Sequence, residues 1–197
     1  SSRGRAVLAA AARETFEECG VLLAVDADGP VSVPEGSLAR ERADVLSGLT
    51  TFSDVLGRLG LVVDDDGLVM FAHWVTPEVE DRRFDARFFL AALPIGQSVG
   101  HIGSEAVSGE WWRPRDALAA FSDHRIELWP PQLAVMRFLD RFATVRDAMA
   151  GARSAVPEPK LAQYYRSTDG TPRVRLVNER TRSFLRDVTY GDYGSDG

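Results

Sequence analysis

Apolar and polar positions follow three rhythms along this chain. Ala6 to Ala12 form an Ala-rich run that favours helix, and Arg13 to Cys19 continue it as far as Gly20, a residue suited to ending one. A helix is expected there. Val21-Leu22-Leu23-Ala24-Val25 is a short apolar run stopped by Asp26-Ala27-Asp28-Gly29-Pro30, the pattern of a strand and a turn. Between positions 35 and 60 the spacing becomes helical: Leu38, Val45 and Leu46 mark one short helix, and Phe52, Val55, Leu56 and Leu59 mark a second. Leu61-Val62-Val63 and Leu68-Val69-Met70-Phe71 then flank Asp64-Asp65-Asp66-Gly67, which predicts a hairpin closed by an Asp-Gly turn. The three Asp residues lack the alternate spacing of a Ca2+ loop, so the turn is expected to be solvated.

Further along, Arg82 to Pro94 predicts a strand. Arg83, Asp85 and Arg87 alternate with Phe84 and Phe88, and the run then becomes continuously apolar, as a central strand covered on both faces does. Trp129-Pro130-Pro131-Gln132 opens a helix whose Leu133, Met136, Leu139 and Ala143 recur at three- and four-residue steps. It is expected to pack on the sheet opposite the first helix. Gly151 to Lys160 reads as a linker, Pro172 to Val177 as a strand and Tyr190 to Gly197 as a tail. The fold class is thus mixed α/β, an α/β/α sandwich around a mixed sheet. It would occupy positions 1–150, with a helical insertion at 35–60 and a C-terminal extension at 151–197. A homodimer contact or a lid over the sheet are the two readings for that extension.

Composition narrows the partners. The 197 residues, 45% of them hydrophobic, suffice for one sizeable core. A net charge of -6 argues against a nucleic-acid backbone as the main partner. No stretch approaches the roughly 20 apolar residues that cross a bilayer, so no membrane partner is expected. Arg3 and Arg5 before the Ala run suggest a secretory signal only weakly, because no convincing cleavage site follows. The single Cys19 cannot form an internal disulfide, which fits a reducing, cytoplasmic setting.

The candidate chemistry lies on the first helix. Glu14 and Glu18 stand at i and i+4 with Glu17 beside them, so three carboxylates share one edge. Like charges at that spacing cost a few tenths of a kcal/mol per pair, whereas a divalent cation would turn the cluster into a favourable one. Oxygen donors suit Mg2+ or Mn2+. Arg13 can pair with Glu17 at i+4. A solvated acidic helix face is the plainer reading of the same residues.

Arg13-Glu14-Thr15-Phe16-Glu17-Glu18-Cys19-Gly20-Val21 resembles the second half of the Nudix box, with Thr15 a weak match at an aliphatic position. The upstream Glu of that pattern falls on Arg5 and its Gly before Ser1, so the resemblance implies a domain lacking its first strands. It also implies a Mg2+- or Mn2+-dependent hydrolase that splits a diphosphate. Glu17 and Glu18 would be metal ligands, Glu14 a ligand or the residue that orients or deprotonates water, and Arg13 a support.

Trp74-Val75-Thr76-Pro77 and Arg82-Arg83-Phe84-Asp85 with Arg87-Phe88-Phe89 resemble the acyl-coenzyme A diphosphatase subgroup. That likeness, extending over roughly 6–140, implies a small nucleoside-diphosphate substrate, coenzyme A or its thioesters. The products would be 3',5'-ADP and (acyl-)4'-phosphopantetheine. NADH or ADP-ribose hydrolysis and a non-catalytic nucleotide sensor are the alternatives.

Arg83, Asp85 and Arg87 are the candidate substrate-binding residues, because the planar fork of Arg matches phosphate. A salt-bridged row is the competing reading. Glu105 and Glu110, before Trp111-Trp112, are candidates for a further acidic group, with Glu105 preferred as a catalytic residue. His101 and His124 have no acid or serine partner at motif spacing and are read as non-catalytic.

Overall fold

The computed structural model describes residues 2–31, 33, 37–78, 81–99, 109–170, 172–179 and 184–189. The chain divides into two compact units, Ser1–Val69 with Phe89–Glu110 and Met70–Phe88 with Trp111–Gly197. The class is mixed α/β, and the strands form two sheets.

In the first unit, helix α1 runs from Ser2 to Cys19. It stops at Gly20, whose φ of +72° lies in the left-handed region that favours glycine, and whose N–H returns to the Phe16 carbonyl at 3.0 Å. Its apolar stripe buries Ala12 and Phe16 completely among Val21, Leu22, Leu23, Phe52, Leu56 and Leu68. Strand β1 (Ala24–Asp26) pairs antiparallel with β2 (Gly29–Pro30) on one side and with β3 (Val62–Val63) on the other. The two expected helices are α2 (Ala39–Leu46) and α3 (Phe52–Leu59). Thr51 and Asp54 close a reciprocal capping box that starts α3.

Gln97 fastens the exit from α1. Its side-chain Nε2 donates to the Leu22 carbonyl at 2.9 Å while its Oε1 accepts from the Leu22 N–H at 2.8 Å.

The hairpin predicted over Leu61–Phe71 does not form among the described residues. Val62 pairs with Val25 of β1, and β4 (Val69–Val75) belongs to the other sheet. The Asp-rich turn is present, but it closes on itself: the Gly67 N–H donates to Asp64 Oδ1 at 2.8 Å and the Leu68 N–H to the Asp64 carbonyl at 3.2 Å.

The five-stranded sheet lies in the second unit apart from Val69, Phe89 and Leu90. Its order is β5 (Asp85–Leu90), β4, β6 (Pro159–Arg166), β7 (Pro172–Asn178) and β8 (Phe184–Thr189). β4 and β6 are parallel, with Trp74 opposite Lys160, and the last two pairings are antiparallel. Trp74, Ala162 and Leu176 make a core with Ala72, Phe88 and Ala134, the last on helix α5 (Pro130–Asp140). Helix α4 (Pro114–Ser122) packs beside α5.

Two further expectations are corrected here. β5 is an outer strand of the sheet among the described residues, and its apolar positions are half-buried rather than covered on both faces. Gly151 to Ser154, expected in a linker, belong to α6 (Val145–Ser154), started by a Thr144 cap on the Asp147 N–H. Residues 159–189 after it supply β6 to β8 to the sheet, and the tail expected at Tyr190 to Gly197 lies outside the described residues.

A candidate active site on the first helix

The carboxylates of α1 are organised by Arg13. Its Nη1 donates to both oxygens of Glu17, at 3.0 and 3.1 Å, and its Nη2 pairs with Glu14 Oε1. One guanidinium nitrogen shared between both carboxylate oxygens, with charge assisting the bonds, makes Glu17 the most constrained of the three. Its side chain is only 16% exposed, against 57% for Glu14. The Glu18 carboxylate has no hydrogen bond or ion pair among the described residues, while its backbone carbonyl accepts from Arg42. Thr15 returns its hydroxyl to the Ala11 carbonyl at 2.9 Å, which suits a polar residue at a helix position where an aliphatic one was expected.

Arg42, on α2, was not foreseen. It donates from Nε to the Glu17 carbonyl at 2.9 Å and from Nη2 to the Glu18 carbonyl at 2.8 Å. The signal was present in the sequence: Glu17 and Glu18 occupy the last turn of a helix that has no basic residue there.

Among the described residues no group of three or more His, Cys, Asp or Glu is close enough to hold a metal ion. Glu105, with His101, lies outside the described residues. The donor chemistry nevertheless fits a hard divalent cation. Glu17 and Glu18 offer only oxygen, and Mg2+ is commonly held by one or two carboxylates, its remaining positions filled by water and substrate phosphate.

In the second unit, Arg83, Asp85 and Arg87 do not present three independent charges. Asp85 Oδ1 accepts from His73 Nε2, and Asp85 Oδ2 accepts from Arg87 Nη2 at 3.0 Å. Because an ionised carboxylate only accepts, that His nitrogen carries a proton. His73 is 4% exposed in β4, and Asp85 gives its ring a polar partner. A lone His in an otherwise apolar strand was the available clue, since buried polar groups need partners. Arg83 donates from Nε to the Thr76 carbonyl at 3.0 Å, and the Thr76 hydroxyl accepts from the Phe84 N–H at 2.9 Å.

Burial pushes the Asp85 carboxyl up, but the His73 hydrogen bond and charge, together with Arg87, outweigh it and hold the group below its ordinary 3.8. The folded chain therefore binds this proton less readily than the unfolded one. Stability from Asp85 is present above pH 3.8 and is lost as pH falls through the lower folded value. Asp85→Asn should accordingly be less stable than the parent at pH 6, with the gap closing towards pH 3 in urea titrations. Parallel curves would show that the pairing contributes nothing, a real contest because the Asp85 side chain is 56% exposed.

The family model "NUDT19 Nudix domain" matches residues 4–139. Acyl-coenzyme A diphosphatase NUDT19 of Xenopus laevis is 30% identical over 151 residues, and that of Homo sapiens 32% over 148. Each match covers 70% of this chain and 40% of the relative, so the chain spans less than half the length of these proteins. A crystal structure of a NUDIX hydrolase from Alicyclobacillus acidocaldarius superposes with a TM-score of 0.62 at 31% identity, covering 71% of this chain and 63% of that one.

Proposed function

Because the chain belongs to the NUDT19 Nudix domain family, we propose that it is a divalent-metal-dependent hydrolase of diphosphate linkages acting on coenzyme A or acyl-coenzyme A. The products would be 3',5'-ADP and (acyl-)4'-phosphopantetheine. The observation that carries this reading is the end of α1 itself: Glu14 and Glu17, both paired with Arg13, and Glu18 beside them lie inside the matched span. The similarity to acyl-coenzyme A diphosphatases supports the substrate class.

In this proposal Glu17 and Glu18 hold Mg2+ or Mn2+. When bound, such an ion supplies Lewis acidity towards phosphoryl oxygen and lowers the pKa of coordinated water. Glu14 or Glu105 takes the proton from the attacking water. Arg13 holds the Glu17 carboxylate in one orientation and keeps the Glu14 charge paired until it is needed. Arg83 and Arg87 are the proposed phosphate contacts. Asp85, already bonded to His73 and Arg87, serves to aim Arg87 rather than to meet an anion. The single Cys19 supports a cytoplasmic setting.

The test is a product analysis with Mg2+ present, using coenzyme A, an acyl-coenzyme A, NADH and ADP-ribose in parallel. Release of 3',5'-ADP from the first two, at rates at least about tenfold above AMP release from the others, is the expected result, a difference of ~1.4 kcal/mol in barrier. Preferential cleavage of NADH or ADP-ribose would reassign the substrate. Binding of nucleotide with no product from any of the four would mark a sensor instead.

A further inference from the structure

We infer that Arg42 is a positioning residue for the Glu17 and Glu18 carboxylates, acting from α2 through the last backbone carbonyls of α1. This rests on the reading that those two carboxylates hold the divalent ion. α1 ends unfavourably on its own. The final carbonyls of a helix have no partners within it and form the negative end of its dipole, yet Glu17 and Glu18 add two more negative groups and no base lies in that turn.

Arg42 answers both problems with one planar group. Nε reaches the Glu17 carbonyl and Nη2 the Glu18 carbonyl, at 2.9 and 2.8 Å. Adjacent carbonyls bridged by a rigid fork require Arg, since a Lys ammonium is a single point donor. The Arg42 side chain runs against Gly20, where an added Cβ would stand 3.7 Å from its Cδ and Nη1. Arg42 itself is set by α2, its N–H donating to the Leu38 carbonyl at 2.9 Å.

These two contacts are with backbone carbonyls and occupy neither carboxylate, the Glu17 oxygens being met by Arg13 instead. Pinning two consecutive peptide groups fixes the Cα–Cβ directions of Glu17 and Glu18. Glu17 is held a second time by Arg13, whereas among the described residues Glu18 is held only through its backbone. Helix α2 therefore sets the aim of the carboxylate that α1 alone leaves loose.

The test titrates Mn2+ alone into the metal-free protein by calorimetry, comparing the parent with Arg42→Ala, Arg42→Lys and Glu18→Gln. Circular dichroism and amide exchange over residues 14–20 are followed without metal. Arg42→Ala is expected to weaken Mn2+ binding roughly tenfold, the scale seen when groups that orient metal ligands are removed, and Arg42→Lys by roughly threefold. Exchange at the end of α1 should quicken in both. A folded Arg42→Ala protein that binds Mn2+ as the parent does would overturn the inference and reduce Arg42 to a helix cap. Should the Ala variant not fold, Arg42→Lys decides by the same measure, equal binding overturning the inference. Glu18→Gln separates the two layers: if the parent takes up no Mn2+, or this variant binds it unchanged, the metal reading itself fails.

Discussion

Glu18→Gln is expected to lower Mg2+-dependent turnover at least about a hundredfold, ~2.7 kcal/mol in barrier, without loss of stability. The two halves of that expectation have separate origins. Glutamine keeps the volume and shape of the side chain but removes the charge a hard cation requires, so the ion is bound poorly or misplaced. Stability should hold because the Glu18 carboxylate makes no hydrogen bond or ion pair among the described residues, and its backbone contact with Arg42 is untouched. Relief of like-charge repulsion with Glu14 one turn away favours the variant by a few tenths of a kcal/mol. Thermal melting should therefore give an unchanged or slightly higher midpoint. Mg2+-dependent turnover equal to that of the parent would refute the role given to Glu18.

Phe16→Ala should do the reverse and fail through the scaffold. Phe16 is fully buried, two residues before Glu18, with its ring 5.6 Å from that of Phe52 and tilted by 41°. Truncation removes the transfer free energy of the ring and leaves a cavity in a close-packed interior, together about 3–5 kcal/mol. Typical domains have only about 5–15 kcal/mol in total, so the variant is expected to be partly unfolded at 37 °C. Urea unfolding measures this directly. A loss below about 1 kcal/mol would contradict the placement of Phe16 as the anchor between α1 and α3. Together the two variants separate chemistry from architecture on a single turn of helix.

How far the chain could be read from its residues depended on how local each cause was. The Ala-rich helix and its glycine end follow from spacing alone, and α1 carries both. Helices α2 and α3 were legible for the same reason, from the apolar spacing of Leu38, Val45 and Leu46 and of Phe52, Val55, Leu56 and Leu59. The partner of β3 was not. An Asp-Gly turn announces a reversal, but whether Val62 pairs forward with β4 or back with Val25 is decided by packing far along the chain. The parallel pairing of β4 with β6 joins Trp74 to Lys160 and has no local signature at all.

Gly151 misled in another way. It opens the stretch read as a linker, yet it sits within α6, where the Phe142 ring stands 2.3 Å from the place a Cβ would occupy. Glycine is present there for room rather than for flexibility. In the site, Arg13, Glu14 and Glu17 were foreseen as neighbours because they lie within one turn. Arg42 and His73 were not, because each meets its partner across a separation that no periodicity reports.

Gln97 has a consequence for how the first unit can move. One amide side chain does the work of two rungs of a ladder, satisfying both main-chain groups of Leu22, a residue with no exposed surface. Drawing the 94–99 segment outward would leave a donor and an acceptor stranded in an oily interior at the same moment, with a penalty of about 1–3 kcal/mol for each. That segment is thereby tethered to the root of the carboxylate helix, and local breathing there should be coupled to loss of the core beneath it.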